Sequence, residues 1–260
     1  APGLTNLLVA RSAEMLDAIE AVYIRLYEST ESDDPISQWS AEASFDEATS
    51  RPRVYRAGKF HLGKRFDERE VFRFPPPVGE AGVVLAAQDE VGTLPHFIPM
   101  REMDVKIGGN EIDRLRRWYK QGKLSKSRGL VTKRFPRTPT PRHVARLIRR
   151  GVLQNARFAA AVLVRGVKKE QPVLIRWDAE FPSLYQIRQR GMASTPVAWA
   201  TAHLASLFVK HFPREEAGVF PPEALPAEIR QKILADAKSR DMRIAMKVTK
   251  LKKSEEDEEF

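Results

Sequence analysis

An α+β fold on a mixed, largely antiparallel sheet is what this sequence predicts, and three observations predict it. Several short segments alternate apolar and polar residues with the period of two that a half-buried strand requires. Helical periodicity gathers near the start and towards the end of the chain. Between them there is no regular strand–helix–strand alternation, the signature of a parallel doubly wound sheet.

The elements follow in order. Leu4 to Ile19 places apolar residues at helical spacing behind a Pro2-Gly3 turn, with Thr5 or Asn6 as cap candidates. Ala21 to Tyr27 alternates Val22, Ile24 and Leu26 against Tyr23, Arg25 and Tyr27, a strand, and Ser29 to Ser37 reads as a polar loop. A short helix is expected around Phe45 to Thr49. Strands are expected over Val54 to Phe66, Glu70 to Phe74, Ala81 to Ala87 and Met103 to Ile107. The triplet Pro75-Pro76-Pro77 cannot donate ladder hydrogen bonds and ends a strand or marks an edge. Asp89 to Pro95 reads as a polar loop at a strand end. Helices are expected over Glu111 to Gln121 and over Pro141 to Arg150, the second closed by Gly151. Phe158 to Arg165 and Pro172 to Trp177 read as a hairpin turning through Gly166. Pro196 to Phe212, apolar nearly all round, predicts a helix buried on more than one side. An amphipathic helix over Pro226 to Arg240 and a strand over Met242 to Val248 complete the fold.

Composition narrows the function. At 260 residues with 42% hydrophobic and 30% charged side chains, the chain has ordinary globular proportions, and no run approaches the ~18 apolar residues of a membrane span. Cys is absent, which excludes disulfide scaffolds, thiolate nucleophiles and Cys-ligated metals. None of the glycines forms a dinucleotide or P-loop fingerprint, and GxSxG is missing. His61, His96, His143, His203 and His211 share no metal-binding spacing, so no metal is expected. The opening Ala1-Pro2-Gly3-Leu4 has neither a Met nor a signal-like segment, so the sequence is expected to begin partway through a longer, cytoplasmic chain.

Charge is uneven. Arg114 to Arg150 holds fourteen Lys or Arg and no acidic residue, leaving 30 basic against 34 acidic residues elsewhere. Such a stripe attracts phosphate polyanions, anionic lipid or an acidic surface, or is simply a solvated helical face. Leu115, Trp118 and Tyr119 recur at helical spacing there and are assigned to core contact rather than base stacking. The Pro2 to Asn6 turn sets a glycine at a helix N-terminus, where free N–H groups suit an anion such as a substrate carboxylate; the plain alternative is a turn and cap.

Six separated segments, taken together, resemble the saccharopine dehydrogenase (saccharopine reductase) family and its relatives, among them carboxynorspermidine synthases. They are Ala1-Pro2-Gly3-Leu4-Thr5-Asn6; Trp39-Ser40; Phe74-Pro75; Glu90 with Thr93-Leu94-Pro95; Ala193-Ser194-Thr195 with Thr201; and Gly218-Val219-Phe220-Pro221-Pro222-Glu223. Ala1 stands where the lysine-pathway members carry Asp, which sets this chain apart from them. The resemblance implies a substrate domain like the C-terminal domain of glyceraldehyde-3-phosphate dehydrogenase, with helices packed on one face of the sheet, and a preceding Rossmann domain that holds NAD or NADP. It implies residues 1–195 as a substrate-binding and dimerising unit that includes the basic segment 110–151. Residues 196–248 would pack on the Rossmann domain, and 249–260 would be a charged tail. The implied activity is hydride transfer at a C–N bond of an amino acid, in a homodimer without membrane or nucleic-acid partners. Pro2, Gly3, Leu4, Thr5, Asn6, Trp39, Ser40, Phe74 and Thr93 would bind the small amino-acid-like substrate. Glu90 or His96 would handle the amine proton, and Pro2, Gly3, Pro221 and Pro222 would face the cofactor. A different class of function remains open: a non-catalytic module that uses residues 114–150 against nucleic acid or an anionic surface. A family member kept only for oligomerisation through exposed sheet is a third.

Overall fold

The computed structural model describes residues 3–34, 36–38, 40–124, 140–212 and 217–251. In chain order the elements are α1 (Leu4–Ala13), β1 (Ala18–Ser32), α2 (Ala41–Thr49), β2 (Arg53–Arg56), β3 (Lys59–Leu62), β4 (Glu70–Arg73), β5 (Glu80–Leu85), α3 (Glu90–Phe97) and β6 (Glu102–Gly108). After them come α4 (Asn110–Lys120), α5 (Pro141–Arg149), β7 (Leu153–Lys168), β8 (Gln171–Glu180), α6 (Leu184–Gln189), α7 (Pro196–His211), a 3-10 turn (Pro222–Ala224), α8 (Ala227–Ser239) and β9 (Arg243–Lys250).

The fold is α+β. The described strands form one nine-stranded sheet whose main path runs β3-β2-β6-β1-β7-β8-β9. Only β1 with β6 is parallel, from Ala21↔Glu102 to Tyr27↔Gly108; every other described pair is antiparallel. Two hairpins share the outer edge of β6. β2 meets it at Tyr55↔Met103 and β5 meets its far end at Val83↔Gly108.

Strand alternation sorts the two faces. Val22, Ile24 and Leu26 of β1, Met103, Val105 and Ile107 of β6, Phe158 to Val164 at every second position of β7, and Ile175, Trp177 and Ala179 of β8 all point to the main core. There they meet Leu4, Leu7 and Leu8 of α1, Leu115 of α4, Leu204 and Leu207 of α7 and Ile233 of α8. α1 is buried nearly all round, from Leu4 to Ala10, so it lacks an amphipathic stripe. Trp177 Nε1 pins it to the sheet by donating to Ser12 Oγ at 2.8 Å. The opposite face is partly apolar, with Phe74, Val83, Ala161 and Leu163 packed together, and partly ionic. Arg25 donates to Asp104 and Glu70, Arg56 to Asp104 at 2.8 Å, and Lys106 to Glu70. Burial alone would raise the Asp104 carboxyl, but the Arg25 guanidinium and then Arg56 outweigh it and hold the group below its ordinary value.

Local readings change in several places. The first helix stops at Ala13 rather than Ile19, because residues 18 and 19 already pair with β7. The first strand runs on to Ser32, into what reads as loop. Val54 to Phe66 is a tight hairpin, broken at Ala57-Gly58, where both residues have positive φ. The β7–β8 turn lies at Lys169-Glu170, again both at positive φ, not at Gly166. Gly166 sits within the strand, where a Cβ would stand 2.2 Å from the Ala18 carbonyl oxygen. Asp89 to Pro95 is helical rather than loop: Pro95 falls inside α3, and Asp89 offers no side-chain cap. The charged segment 249–260 lies outside the described residues beyond Leu251, as do residues 125–139 of the basic stripe. β9 belongs to the same sheet as β8, and α7 and α8 contribute to the same core as α1. Among the described residues no helix is long and apolar enough to cross a membrane.

Candidate functional site

A cleft of about 730 Å³ opens between the N-termini of α1 and α3, the exposed side of α7 and the Pro221-Pro222 turn. Gly3 begins the cleft at the start of α1. Its φ is 78°, and a Cβ there would lie 2.6 Å from Phe208 and 2.9 Å from Pro222, so only glycine lets α7 and the proline turn close on that helix end. One turn on, Thr5 Oγ1 donates to Glu90 Oε1 at 2.8 Å. Asn6 Nδ2 donates to buried Glu223 Oε2 at 2.9 Å and reaches Thr93 Oγ1 at 3.5 Å. Glu90 and Thr93 are three residues apart on α3 and so share a face of that helix.

The remaining wall is set by a buried polar relay. Glu111 of α4 accepts from Ser37 Oγ, from Ser44 Oγ at 3.0 Å and from the Gln38 amide at 3.3 Å. Burial pushes the Glu111 carboxyl up, and those donors pull against it. Gln38, so anchored, donates through Nε2 to Ser29 and Arg157 carbonyls and accepts from the Val197 amide at 3.3 Å. It therefore ties β1, β7 and the start of α7 together at the cleft. Ser40 lines the cleft as the N-cap of α2, accepting from the Ala43 amide at 3.0 Å.

The apolar pattern of α7 now has a cause. Val197, Ala200, Leu204 and Leu207 pack into the core, whereas Ala198, Thr201, Ala202 and Ala205 line the cleft. The helix is buried on one side; its second apolar side faces the opening, not a second core. Small residues there leave room for a ligand, and Phe158 supplies an apolar end wall.

Sequence reasoning and structure meet unevenly. Gly3, Asn6, Ser40, Glu90, Thr93, Pro221 and Pro222 line one cleft, with Thr5 immediately behind Glu90. Three expected residues are not brought to it. Leu4 points into the main core. Phe74 is buried on the opposite face of the sheet, against Phe72 at 4.7 Å and Tyr27 at 5.7 Å. His96, six residues after Glu90, lies exposed on another side of α3 with its ring 5.2 Å from Phe60. Pro2 and Trp39 lie outside the described residues. Gln38, Gln88 and Phe158 are missed contributors to the lining. Gln38 has no residue-level signal, being a lone amide before Trp39-Ser40.

Electrostatically the cleft is acidic. Asp89 and Glu90 are in its wall, Glu223 lies just behind Asn6, and among the described residues the lining includes no Lys, Arg or His. Glu223 Oε1 is buried without a hydrogen-bond partner, while its Oε2 takes the Asn6 amide. Behind the wall, Gln88 Nε2 donates to Glu47 Oε1 at 3.0 Å. Burial pushes the Glu47 carboxyl up to about 7; Gln88 opposes this, and the neighbouring Glu111 and Glu90 charges add to it.

A pH dependence follows. Because the folded state holds the Glu47 proton to higher pH than the unfolded chain, it binds more protons, and stability falls as pH rises from about 4.5 to about 7. Glu111 contributes a slope of the same sign. Melting temperatures measured across that range should therefore decline, and Glu47→Gln should flatten the decline and raise the melting temperature above pH 7. An identical profile in both proteins would contradict this.

No protein-family model matches the chain, and no curated protein matches it either.

Proposed function

We propose that this chain is the substrate-binding part of an NAD(P)-dependent oxidoreductase acting on a C–N bond of an amino acid, as its resemblance to saccharopine dehydrogenases implies. The observation that carries the proposal is convergence. Segments around residues 3–6, 40, 90–93, 201 and 221–222, far apart in the chain, supply the walls of one cleft.

The chemistry of that cleft suits an amine. A substrate ammonium would meet Asp89 and Glu90, with no basic side chain among the described lining residues to oppose it. Thr5 holds one oxygen of Glu90 at 2.8 Å and so fixes the carboxylate plane, which leaves Oε2 for the amine proton. The α1 N-terminus beside Gly3 presents its first N–H groups to a substrate carboxylate. Ala198, Ala202 and Ala205 would take an aliphatic chain and exclude water.

The nicotinamide, when bound, would supply or accept the hydride. The residues here fit only that end of a dinucleotide. Gly3 and the Pro221-Pro222 turn give an apolar, close-approach rim, whereas a lining whose described charges are all acidic is unsuited to a pyrophosphate. The pyrophosphate would rest on a Rossmann unit, and the homodimer is part of the same reading.

The test is direct. Coexpressed with a Rossmann dinucleotide-binding domain, the one its gene encodes if there is one, the chain should show nicotinamide-dependent turnover of a secondary-amine amino acid. On the chain by itself, calorimetry should detect such amines and lose the signal when their nitrogen is acylated and neutral. An encoded upstream segment without a strand–GxGxxG–helix unit, or equal binding of the acylated compounds, would overturn the reading.

A further inference from the structure

Away from the cleft, a surface pocket of about 510 Å³ gathers five cations, Arg51, Lys64, Arg65, Arg116 and Lys120, from three separate stretches of chain. Arg116 and Lys120 stand four residues apart on α4 and share a face. Lys64 and Arg65 come from the turn after β3, and Arg51 from the approach to β2, where its guanidinium is fixed by the Leu62 carbonyl at 2.7 Å and the Gly63 carbonyl at 3.2 Å. Asp67 is the only acidic residue in the described lining, and none of the five cations forms an ion pair with a described acidic residue.

Like charges so close repel, and five cations against the single carboxylate of Asp67 are the wrong composition for a purely structural contact. Two further observations point to a ligand. Arg65 Nε and Arg116 Nε are buried without a hydrogen-bond partner among the described residues, and buried donors are rarely left unmet. Two of the guanidinium groups are also preorganised: Arg51 by the Leu62 and Gly63 carbonyls, and Arg65 over the Tyr119 ring at 5.7 Å, with Tyr119 in turn packed on Phe66 at 5.5 Å. Guanidinium forks fixed in this way match the paired oxygens of a phosphate group.

We propose that this pocket binds a small phosphate-bearing polyanion, a site distinct from the amine cleft and independent of the activity proposed for it. The volume exceeds what one phosphate fills, so the ligand carries several linked phosphates or a phosphorylated organic group.

Inorganic tripolyphosphate and ATP, titrated calorimetrically into the full chain, are the probes. Both should bind, and affinity should fall steeply between about 50 mM and about 200 mM salt. Tighter binding of ATP assigns a nucleotide; equal binding assigns the phosphate chain alone, and either supports the site. The charge reversals Arg65→Glu with Arg116→Glu should weaken binding by at least about tenfold, the loss expected when charge-assisted contacts go. Lys247→Glu with Lys250→Glu, an equal charge change on β9 outside the pocket, should leave it unaltered. If the arginine pair fails to fold, Lys120→Gln at the exposed rim should still weaken binding. Equal weakening by the β9 pair, no binding of either probe, or binding of a single-stranded RNA without tripolyphosphate would overturn the proposal.

Discussion

Gly109→Ala is expected to prevent this protein from folding stably. Gly109 joins β6 to α4 at φ 116°, ψ 175°, and an added Cβ would lie 1.6 Å from the Glu28 carbonyl oxygen and 2.7 Å from its carbon. The obstacle is backbone, and it cannot retreat: Glu28 pairs with Phe158 in β7 on one side, while β1 runs parallel to β6 as far as Tyr27↔Gly108 on the other. The loss should exceed about 4 kcal/mol, the range reserved for a structural clash that nothing can relax. Gly122→Ala is the matched control, with φ of 66° but nothing within 4 Å, and should cost only the ~1–2 kcal/mol of a left-handed alanine. Denaturant unfolding of the two variants decides it. Equal losses would locate the problem in backbone conformation and refute the close approach. The consequence reaches the cleft, because α4 carries Glu111, and Glu111 holds Ser37, Gln38 and Ser44 in place.

Glu90→Gln should have the largest effect on activity. In the proposed reaction Glu90 is the carboxylate that meets the amine, and removing a positioned acid–base group typically costs ~10²-fold or more in rate. The amide oxygen of Gln can still accept from Thr5 Oγ1, so the fold should be preserved and the melting temperature should change little. The reconstituted enzyme should therefore lose about a hundredfold in kcat/KM, while the chain alone should bind a secondary amine more weakly. Asp89→Asn separates the two carboxylates: Asp89 is exposed and has no partner comparable to Thr5, so its loss should weaken binding without a comparable loss in kcat/KM. A Glu90→Gln enzyme with unaltered turnover would remove Glu90 from the chemistry.

Much of this architecture was legible in residue order, and the failures are instructive. The strand Ala21 to Tyr27 could be read because its alternation survives in a central strand whose two faces differ, one apolar and one carrying Arg25. The helix α3 was hidden because Pro95 and Gly92 imitate a loop, while the tertiary contacts of Val91 and Leu94 hold the turn against propensity. Had that helix been recognised, the three-residue spacing would have paired Thr93 with Glu90 on one face. Leu4 is a subtler case, since it adjoins Gly3 in sequence but turns inwards, as a helix requires of neighbouring residues.

By itself the sequence determined the α+β class, the main strands and helices, the concentration of charge after residue 114, and the separate loop and turn motifs. Those are local properties: periodicity, turn residues and composition act over a few neighbours. Tertiary structure decided which motifs share a cleft, because Gly3 admits Phe208 and Pro222 and Gln38 reaches Val197 only once the sheet has brought the ends of β1 and β7 together. It also decided that Arg116 and Lys120 meet Arg51, Lys64 and Arg65, which no spacing along the chain announces. Contacts between residues tens of positions apart depend on the register of strands and the direction side chains take from them, and those are set by the packing of the whole molecule.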